Sequence, residues 1–576
     1  LDAPAAAWPE PVQGHLPGAA LYWTCQGVVL VVAILLGVAV LRGVMGRRER
    51  DGLGVERSAR FANTRDLRAL VVRRSSPGRV VLGKAKRRLI ATERRTSVCV
   101  IGPTQSGKTS ALGVPTLLEL RRGGGAVLAL SVKGDLYEET HRRRSIRGAV
   151  KVFDPTRIKT QRSDTWSPLR RAGTIRGAQG AARSLFELAA RAGVSDADYW
   201  MEAGTNLLWP LLYVAAHMEE GSMADVVRWV TTHDRPRQDT NGKAVRSEVA
   251  ENIRTIEARI RTGSTGPDGP VAEHFQNVRN AIQGTWVLDG RTQSNIYSTT
   301  RTVIDPWSDP VVAEACSSSE ITPEWLLGGD NTAYIVSPAH DQKRLQRVFA
   351  SMVSDLVHAA FEIASRTRTG ELPRRLLVLL DEAANICPVP ELPAWCSTCA
   401  SHGITLVTMW QDRSQQRSRY GPDGAETIWN NSGAKLILSG ISDAATSEVV
   451  RQLGEEEHSR VSSSVDLGLG NGRRSVSNQT ATRPLVSADS LRRQTPGQAL
   501  LIYKHLPPVR LRLRPWRSDR RLRRLRACRP QRLAGAASRR WQRIRRGGDI
   551  SKAAVAVATS EAAGGPAAPA TDVPVP

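Results

Sequence analysis

The sequence predicts an α/β protein built on a parallel sheet, split by a helical insert, preceded by one apolar helix and trailed by a basic, disordered tail. Three observations carry this. Short apolar runs end in a glycine-rich loop and, far downstream, in a pair of acids; the stretch between them repeats with helical spacing; and residues 19–41 are almost wholly apolar. At 576 residues the chain exceeds a single small fold and has room for roughly three to five units. Hydrophobic residues make up 41% and charged residues 24%, which excludes a largely disordered chain.

Charge narrows the partners. Lys and Arg total 81 against 55 acids, a net +26, and only 11 of the 81 are Lys. Such a surplus points to a polyanion, either nucleic acid or an anionic membrane face. It is concentrated: residues 510–546 hold 16 Arg and one acid, Asp519, so +15 of the +26 lies there. The plain alternative for such a run is a solvated extension. The seven Cys are irregularly spaced, which argues against a disulfide scaffold. Cys396 and Cys399 form a single CxxC with no second pair to complete a zinc site, and read as incidental helix cysteines.

Residues 27–41 contain no polar side chain, and extending back to Ala19 adds only Thr24 and Gln26. As a helix the 19–41 stretch is ~35 Å long against ~30 Å of hydrocarbon. Tyr22 and Trp23 stand at one end as interfacial anchors, and Arg42, Arg47, Arg48 and Arg50 follow the other. The positive-inside rule places residues 1–18 outside and residue 42 onward in the cytoplasm, on the inner or plasma membrane. A signal peptide would carry its basic residues before the apolar core, not after it. The chain opens on Leu1 rather than Met, so a further segment upstream, another span included, is an expectation left open.

Thr96 to Ile101 reads as a buried strand and runs into Gly102-Pro103-Thr104-Gln105-Ser106-Gly107-Lys108-Thr109, with Ser110 opening a helix to Leu120. This is the strand, glycine-rich loop and helix that cradle phosphate. Backbone N–H groups from Gly102 to Ser110 wrap the anion, Lys108 reaches the β- and γ-phosphates of ATP, and Thr109 ligates Mg²⁺. A second strand, Leu376–Leu380, ends in Asp381 and Glu382: the first is placed to hold Mg²⁺, the second to polarise a water. A third, Ile404–Met409, ends at Trp410-Gln411, and Gln411 there can sense the γ-phosphate. Carboxyl ends of parallel strands are where such sheets bind ligands. The simpler readings are an acid pair capping a helix and a solvent-facing Gln.

In this order the residues resemble the type IV secretion coupling proteins, the TraG/TraD family of conjugation ATPases, from about Arg60 to Pro515. The likeness rests on the loop and on Lys133-Gly134-Asp135-Leu136-Tyr137, Val152-Phe153-Asp154-Pro155 and residues 166–169. Further on it includes Leu379-Leu380-Asp381-Glu382, His402-Gly403-Ile404, residues 411–415 and Tyr420-Gly421. The resemblance implies a RecA-like P-loop ATPase domain with an inserted all-α domain, tethered by one transmembrane helix and acting as a homo-hexamer. It further implies that DNA bound to a relaxase is passed to a type IV secretion channel. Carried across, Gly102, Gly107, Lys108 and Thr109 match the nucleotide loop, Asp381 and Glu382 the second acidic motif, and Gln411 the sensor. Two positions depart. Relatives commonly have Asp where Ser131 stands, and often an Arg finger just before the strand at Ile404, where this chain reads Cys399-Ala400-Ser401-His402. Arg413 or Arg417 substitutes, or hydrolysis is weak, or another subunit completes the site.

The expected organisation is an extracytoplasmic segment at 1–18, the span at 19–41 and a juxtamembrane segment at 42–95. The nucleotide-binding halves are 96–172 and 326–515, around an all-α domain at 173–325; an Arg-rich and then Ala/Pro-rich tail fills 516–576. Within the insert Leu207, Leu208, Leu211, Leu212 and Ala215 recur at helical spacing and read as core, as do Trp200, Trp209 and Trp286. Val509–Leu513 alternates apolar residues with Arg, a strand with one basic face, while the Ser/Gly/Asn-rich 462–483 reads as a flexible loop. A translocating ATPase is the leading function. A nucleotide-controlled receptor with weak hydrolysis, and an FtsK-like translocase or protein-secretion ATPase, are the alternatives. The helical insert argues against the FtsK type, and the missing finger Arg favours the receptor. Whether the basic tail meets DNA or the inner leaflet stays open, with interspersed Leu522, Leu525 and Trp541 permitting an amphipathic helix.

Overall fold

The computed structural model describes residues 8–13, 18–45, 58–189, 197–238, 243–263, 272–337, 340–465 and 474–527. They group into two compact units, one of residues 1–61 with 449–487 and one of 62–448 with 488–576.

The first unit holds helix α1, Ala19–Met45, whose 27 residues reach ~40 Å and so exceed the hydrocarbon thickness. Its apolar side chains point outward all round, from Val28 to Val40, which no soluble helix tolerates without a partner. The same unit corrects the expected loop at 462–483 for residues 462–465 and 474–483; residues 466–473 lie outside the described residues. Glu455–Val465 and Arg474–Pro484 pair as antiparallel strands in continuous register, Glu455 opposite Pro484 and Val465 opposite Arg474. Backbone pairing does not need an apolar sequence, which is why the Ser-rich composition misled.

The second unit is organised by a twelve-stranded sheet. Its strands are β1 Val71–Val72, β2 Val81–Ala85, β3 Arg88–Ala91, β4 Val98–Ile101, β5 Ala126–Val132 and β6 Val150–Phe153. They continue with β7 Thr332–Ser337, β8 Leu376–Leu380, β9 Ile404–Trp410, β10 Ala434–Leu438, β11 Gln498–Tyr503 and β12 Leu506–Arg512. The spatial order is β1-β3-β2-β12-β11-β10-β4-β9-β8-β5-β7-β6. From β10 to β6 every neighbouring pair is parallel. Strands β4, β5, β8 and β9 are buried on both faces, as a parallel sheet covered by helices requires, and this is why they read as unbroken apolar runs.

From β10 outward the pairing turns antiparallel. There one face meets solvent, so β12 alternates: Val509 and Leu511 are buried, Arg510 and Arg512 exposed. The basic face anticipated for this strand is present. Strands β1 to β3 lie in the stretch expected to be a juxtamembrane segment and extend the same sheet. They are too short and too charged, with Lys86 and Arg87 at their turn, to announce themselves by period.

Helices α2 Val114–Glu119 and α3 Asp135–Ser145 follow β4 and β5, and the insert is helical: α4 Ile175–Ala189, α5 Ala197–His217, α6 Met223–Thr231, α7 Glu248–Arg261, α8 Ala272–Trp286 and α9 Gly290–Ile304. One departure from all-α is a pair of two-residue strands, Arg237–Gln238 with Ala244–Val245. Leu207, Leu208, Leu211, Leu212 and Ala215 are buried, as their spacing implied. Trp209 joins them, whereas Trp200 and Trp286 are only half-buried. Caps set the helix starts: Ser222 and Asp225 form a capping box on α6, Ser247 accepts from Ala250 N–H on α7, and Asp289 caps α9. A further helix, α10 Gln342–Ser365, is long and apolar enough to span a membrane, but it lies packed in the core.

The segment leading into the insert is pinned to the sheet by Trp166. Its ring sits edge-on to Phe153 at 6.5 Å between centroids, and its Nε1 donates to Asp355 Oδ2 on α10 at 3.1 Å. Arg170 binds the same carboxylate at 3.1 Å. Trp166→Ala should therefore cost ~3–5 kcal/mol in a denaturant titration, and Trp166→Phe clearly less. A Trp166→Ala variant within about 1 kcal/mol of the parent would show that this anchor is dispensable.

Candidate functional site

Strand β9 lies between β4 and β8, so the loop after β4 and the acids after β8 flank the residue that leaves β9. Gly102 N–H donates to Trp410 O at 3.1 Å, which sets Gln411 beside the start of the loop. The loop turns through Gln105 (φ 65°) and Gly107 (φ 95°), both in the left-handed region. Gly102 is required sterically: a Cβ there would stand 2.5 Å from Ser106 Oγ and 2.9 Å from Leu438 Cβ.

Lys108 is buried and folds back on its own loop, donating to Gly102 O at 2.5 Å and Pro103 O at 3.0 Å. Thr109 Oγ1 donates to Asp381 Oδ2 at 2.7 Å, joining residues 272 apart in sequence. Asp381 is buried at the end of β8, its N–H bonded to Leu130 O at 3.2 Å. Burial pushes its carboxyl up to about 6; the neighbouring charges of Glu382 and Asp135 add to this, and the Thr109 hydroxyl and Lys108 oppose it. Burial likewise lowers Lys108, against the attraction of Asp381 and Glu382.

Glu382 sits at φ 56°, ψ 52°, a left-handed conformation that a non-glycine residue adopts only when its surroundings impose it. Its orientation is supported by a chain of amides. Gln411 N–H donates to Gln415 Oε1 at 3.1 Å, Gln415 Nε2 to Asn385 Oδ1 at 3.2 Å, and Asn385 Nδ2 reaches Glu382 Oε2 at 3.5 Å. Asp412 Oδ1 accepts from Gln415 N–H at 2.6 Å and starts the helix α11, Arg413–Asn431.

All the anticipated residues thus converge: Gly102 to Ser110, Asp381, Glu382 and Gln411 stand at the carboxyl ends of β4, β8 and β9. Thr104 and Gln105 are exposed at the loop tip, and Ser110 is half-buried in the turn behind it. Asn385 was missed by sequence reasoning, although its place three residues past Glu382, on the first turn after the acids, was a usable signal. Ser131, the departure from Asp, is buried and accepts from Leu136 N–H at 3.4 Å, closing the Lys133-Gly134 turn.

Arg413 does not fit a finger into a neighbouring subunit. It is 2% exposed, binds Glu426 at 2.5 Å and lies over the Trp429 ring at 4.7 Å. Arg417 is about half exposed and shares Glu426 at 3.2 Å.

These residues fit a nucleotide with Mg²⁺. Among the described residues Ser106 Oγ is buried without a hydrogen-bond partner. Lys108 contacts only acceptors of its own loop among its hydrogen bonds, and Asp381 carries an ionisation penalty that an adjacent cation would remove. Lys108 and the loop amides would hold the phosphates, and Thr109 with Asp381 the metal.

Strand order and loop place the chain among the P-loop α/β proteins. Within that class it belongs to the family described as Type IV secretory system Conjugative DNA transfer, which matches residues 61–536. It is 24% identical over 518 residues to Protein VirD4 of Rhizobium rhizogenes, covering 87% of this chain and 71% of that one. To Conjugal transfer protein TraG of Escherichia coli it is 24% identical over 460 residues, covering 74% and 68%. Among solved structures it is similar to the bacterial conjugative coupling protein TrwBdeltaN70, with TM-score 0.56, 17% identity and coverage of 81% and 96%. A second, plasmid coupling protein TrwB in complex with ADP and Mg²⁺, gives TM-score 0.56 at 16% identity over 80% and 93%. The chain is a type IV secretion coupling protein for conjugative DNA transfer.

Asp381 yields a test with a definite sign. Its raised value makes the ionised carboxylate costly in the nucleotide-free fold, a penalty fully present above about 6 and relieved as pH falls through it. Asp381→Asn should then stabilise the nucleotide-free protein by roughly 1–3 kcal/mol at a pH above that value, with the gain vanishing towards ~4. The same variant should lose the extra stabilisation that Mg²⁺ gives in the presence of nucleotide. A melting point unmoved by the change, or a surviving Mg²⁺ response, would refute the assignment.

Proposed function

We propose that this coupling protein is a membrane-anchored, ATP-hydrolysing motor. It binds ATP with Mg²⁺, assembles as a homo-hexamer, and drives DNA, bound to its relaxase, into the components of a type IV secretion channel. The observation that carries the reading is the 2.7 Å bond between Thr109 and Asp381, which unites two sequence-distant motifs at the carboxyl ends of the central strands. The solved relatives support the choice of ligand: plasmid coupling protein TrwB has been captured with a non-hydrolysable ATP analogue and with ADP and Mg²⁺. Anchoring at the inner or plasma membrane is supported by the outward-facing apolar surface of α1.

In this mechanism Lys108 turns from the loop carbonyls to the phosphates, exchanging two neutral acceptors for charged ones. A bound Mg²⁺ would supply positive charge against the phosphate oxygens. Thr109 Oγ1 and the Asp381 carboxylate would hold it, at the position their mutual hydrogen bond marks. Glu382 takes the proton of the attacking water. Asn385 and Gln415 steady Glu382 and link it to Gln411, which sits where a change at the γ-phosphate would be felt.

A second reading, a receptor whose nucleotide controls assembly more than transport, is favoured by one observation. The stretch before β9 carries no Arg, and Arg413 is committed inside its own subunit. Turnover separates the two. Lys108→Ala should abolish ATP hydrolysis, whereas Glu382→Gln should keep nucleotide binding and lose ~10²-fold or more in turnover. DNA should stimulate the parent protein. Wild-type turnover in Glu382→Gln would remove Glu382 as the water-activating group, and a parent without DNA-stimulated hydrolysis would leave the receptor reading.

Deleting residues 1–46 should release the protein to the soluble fraction and weaken hexamer formation, leaving nucleotide binding intact. Persistent sedimentation of the truncated protein with membranes in high salt would mean a second membrane-binding element.

A further inference from the structure

The chain returns to the nucleotide loop at residues 514–526, which cross from the second nucleotide-binding half into the tail expected from residue 516. Residues 516–526 are ordered because they are apolar where it counts: Trp516 is 7% exposed and Leu522 fully buried in the core of the sheet, while the rest of the tail, from residue 528, lies outside the described residues. A short helix, α12, spans Arg520–Arg526.

The reason for the contact lies in Pro115. The helix behind the loop starts with a π turn, Thr109–Gly113, before its α-helical part, Val114–Glu119. Proline has no N–H, and in an α-helix its ring would strike the carbonyl four residues back, that of Ala111. The backbone widens instead: Val114 N–H bonds to Thr109 O, five residues back. That leaves Ser110 O stranded. Its α-helical donor, Val114 N–H, is spent on Thr109, and its π-helical donor would be Pro115, which has none. Trp516 N–H fills the gap, donating to Ser110 O at 3.0 Å.

The far end of the same helix is held as well. Arg514 forks onto the buried Glu119 with two bonds of 3.0 Å and binds Asp519 at 3.1 Å through Nε. Asp519 in turn caps α12 by accepting from Arg521 and Leu522 N–H. Arg517 and Arg526 both lie over the Trp516 ring, at 4.7 Å and 4.6 Å, and both pair with Glu139 on the neighbouring helix Asp135–Ser145. A bidentate guanidinium–carboxylate pair fixes direction more than it adds stability, which suits a part that must hold a helix in register.

We propose that residues 514–526 are a clasp on the nucleotide-loop helix, with Arg514 and the Trp516 N–H as positioning groups that keep Lys108 and Thr109 in binding geometry. The proposal rests on the nucleotide reading above. Titration of the full-length chain in detergent with a fluorescent ATP analogue and Mg²⁺, well below the melting temperature, tests it. Arg514→Lys keeps the charge but loses the fork, and should weaken binding about three- to tenfold. Trp516→Pro, which removes the N–H, should bind more weakly than Trp516→Ala, which keeps it. Pro115→Ala should narrow that gap, because Val114 N–H can then return to Ser110 O in an ordinary α-helix. A purely structural segment would lower the melting point without this rescue.

Parental affinity in Arg514→Lys, or equal affinities for Trp516→Pro and Trp516→Ala, overturns the clasp. If Trp516→Pro does not fold, Arg514→Lys decides. Lys108→Ala run alongside separates the two levels: if it binds like the parent, the nucleotide reading fails, and if it alone loses binding, only the clasp does.

Discussion

Everything at the candidate site depends on one hydrogen bond between the Thr109 hydroxyl and the Asp381 carboxylate. Neither residue is near the other in the chain, and neither segment could hold the geometry by itself. The parallel register does so: Leu376 to Leu380 lie opposite Ile404 to Thr408, and Val407 to Trp410 lie opposite Val98 to Ile101. A slip of one residue between these strands would turn each side chain to the wrong face and separate the hydroxyl from the acid. The unbroken burial of β4, β8 and β9 makes such a slip costly, so hydrophobic packing sets the position of polar chemistry at the strand ends.

The acid is held in an unfavourable state. A buried carboxylate beside Glu382, offset only by one hydroxyl and a lysine turned to its own loop, is poised for a cation. The left-handed backbone at Glu382 is a further cost at the same place, and the amide chain through Asn385 and Gln415 steadies it. Strain of this kind survives where a surrounding sheet over-determines it, and here the twelve-stranded sheet does. The π turn after the loop belongs to the same pattern: a local break in the hydrogen-bond ladder, caused by Pro115 and closed from a distant part of the chain.

Charge divides in two. Arg510 and Arg512 face solvent on β12, while Arg514, two residues on, is buried against Glu119. One run of basic residues therefore serves both as an outward cationic face and as an internal brace. Composition alone treats them as equivalent. Alternation along a strand is what turns one set outward, and the end of the strand is where it stops applying.

By itself the sequence determined the fold class, the apolar helix, the phosphate loop, the acid pair and the helical insert. Each is written in local spacing: glycines where the backbone must turn, apolar runs where a strand is covered on both faces, helical periodicity in the insert. Tertiary structure alone decided the rest. The antiparallel edge from Val71 to Ala91 is made of strands too short to show a period, and the strand pair 455–465 with 474–484 is held by backbone pairing that composition does not encode. The burial of Arg413, the brace at Arg514 and the link from Asn385 to Gln415 depend on partners 13, 395 and 30 residues away. Side-chain chemistry states what each group can bond to; only the packed sheet decides which of those bonds is within reach.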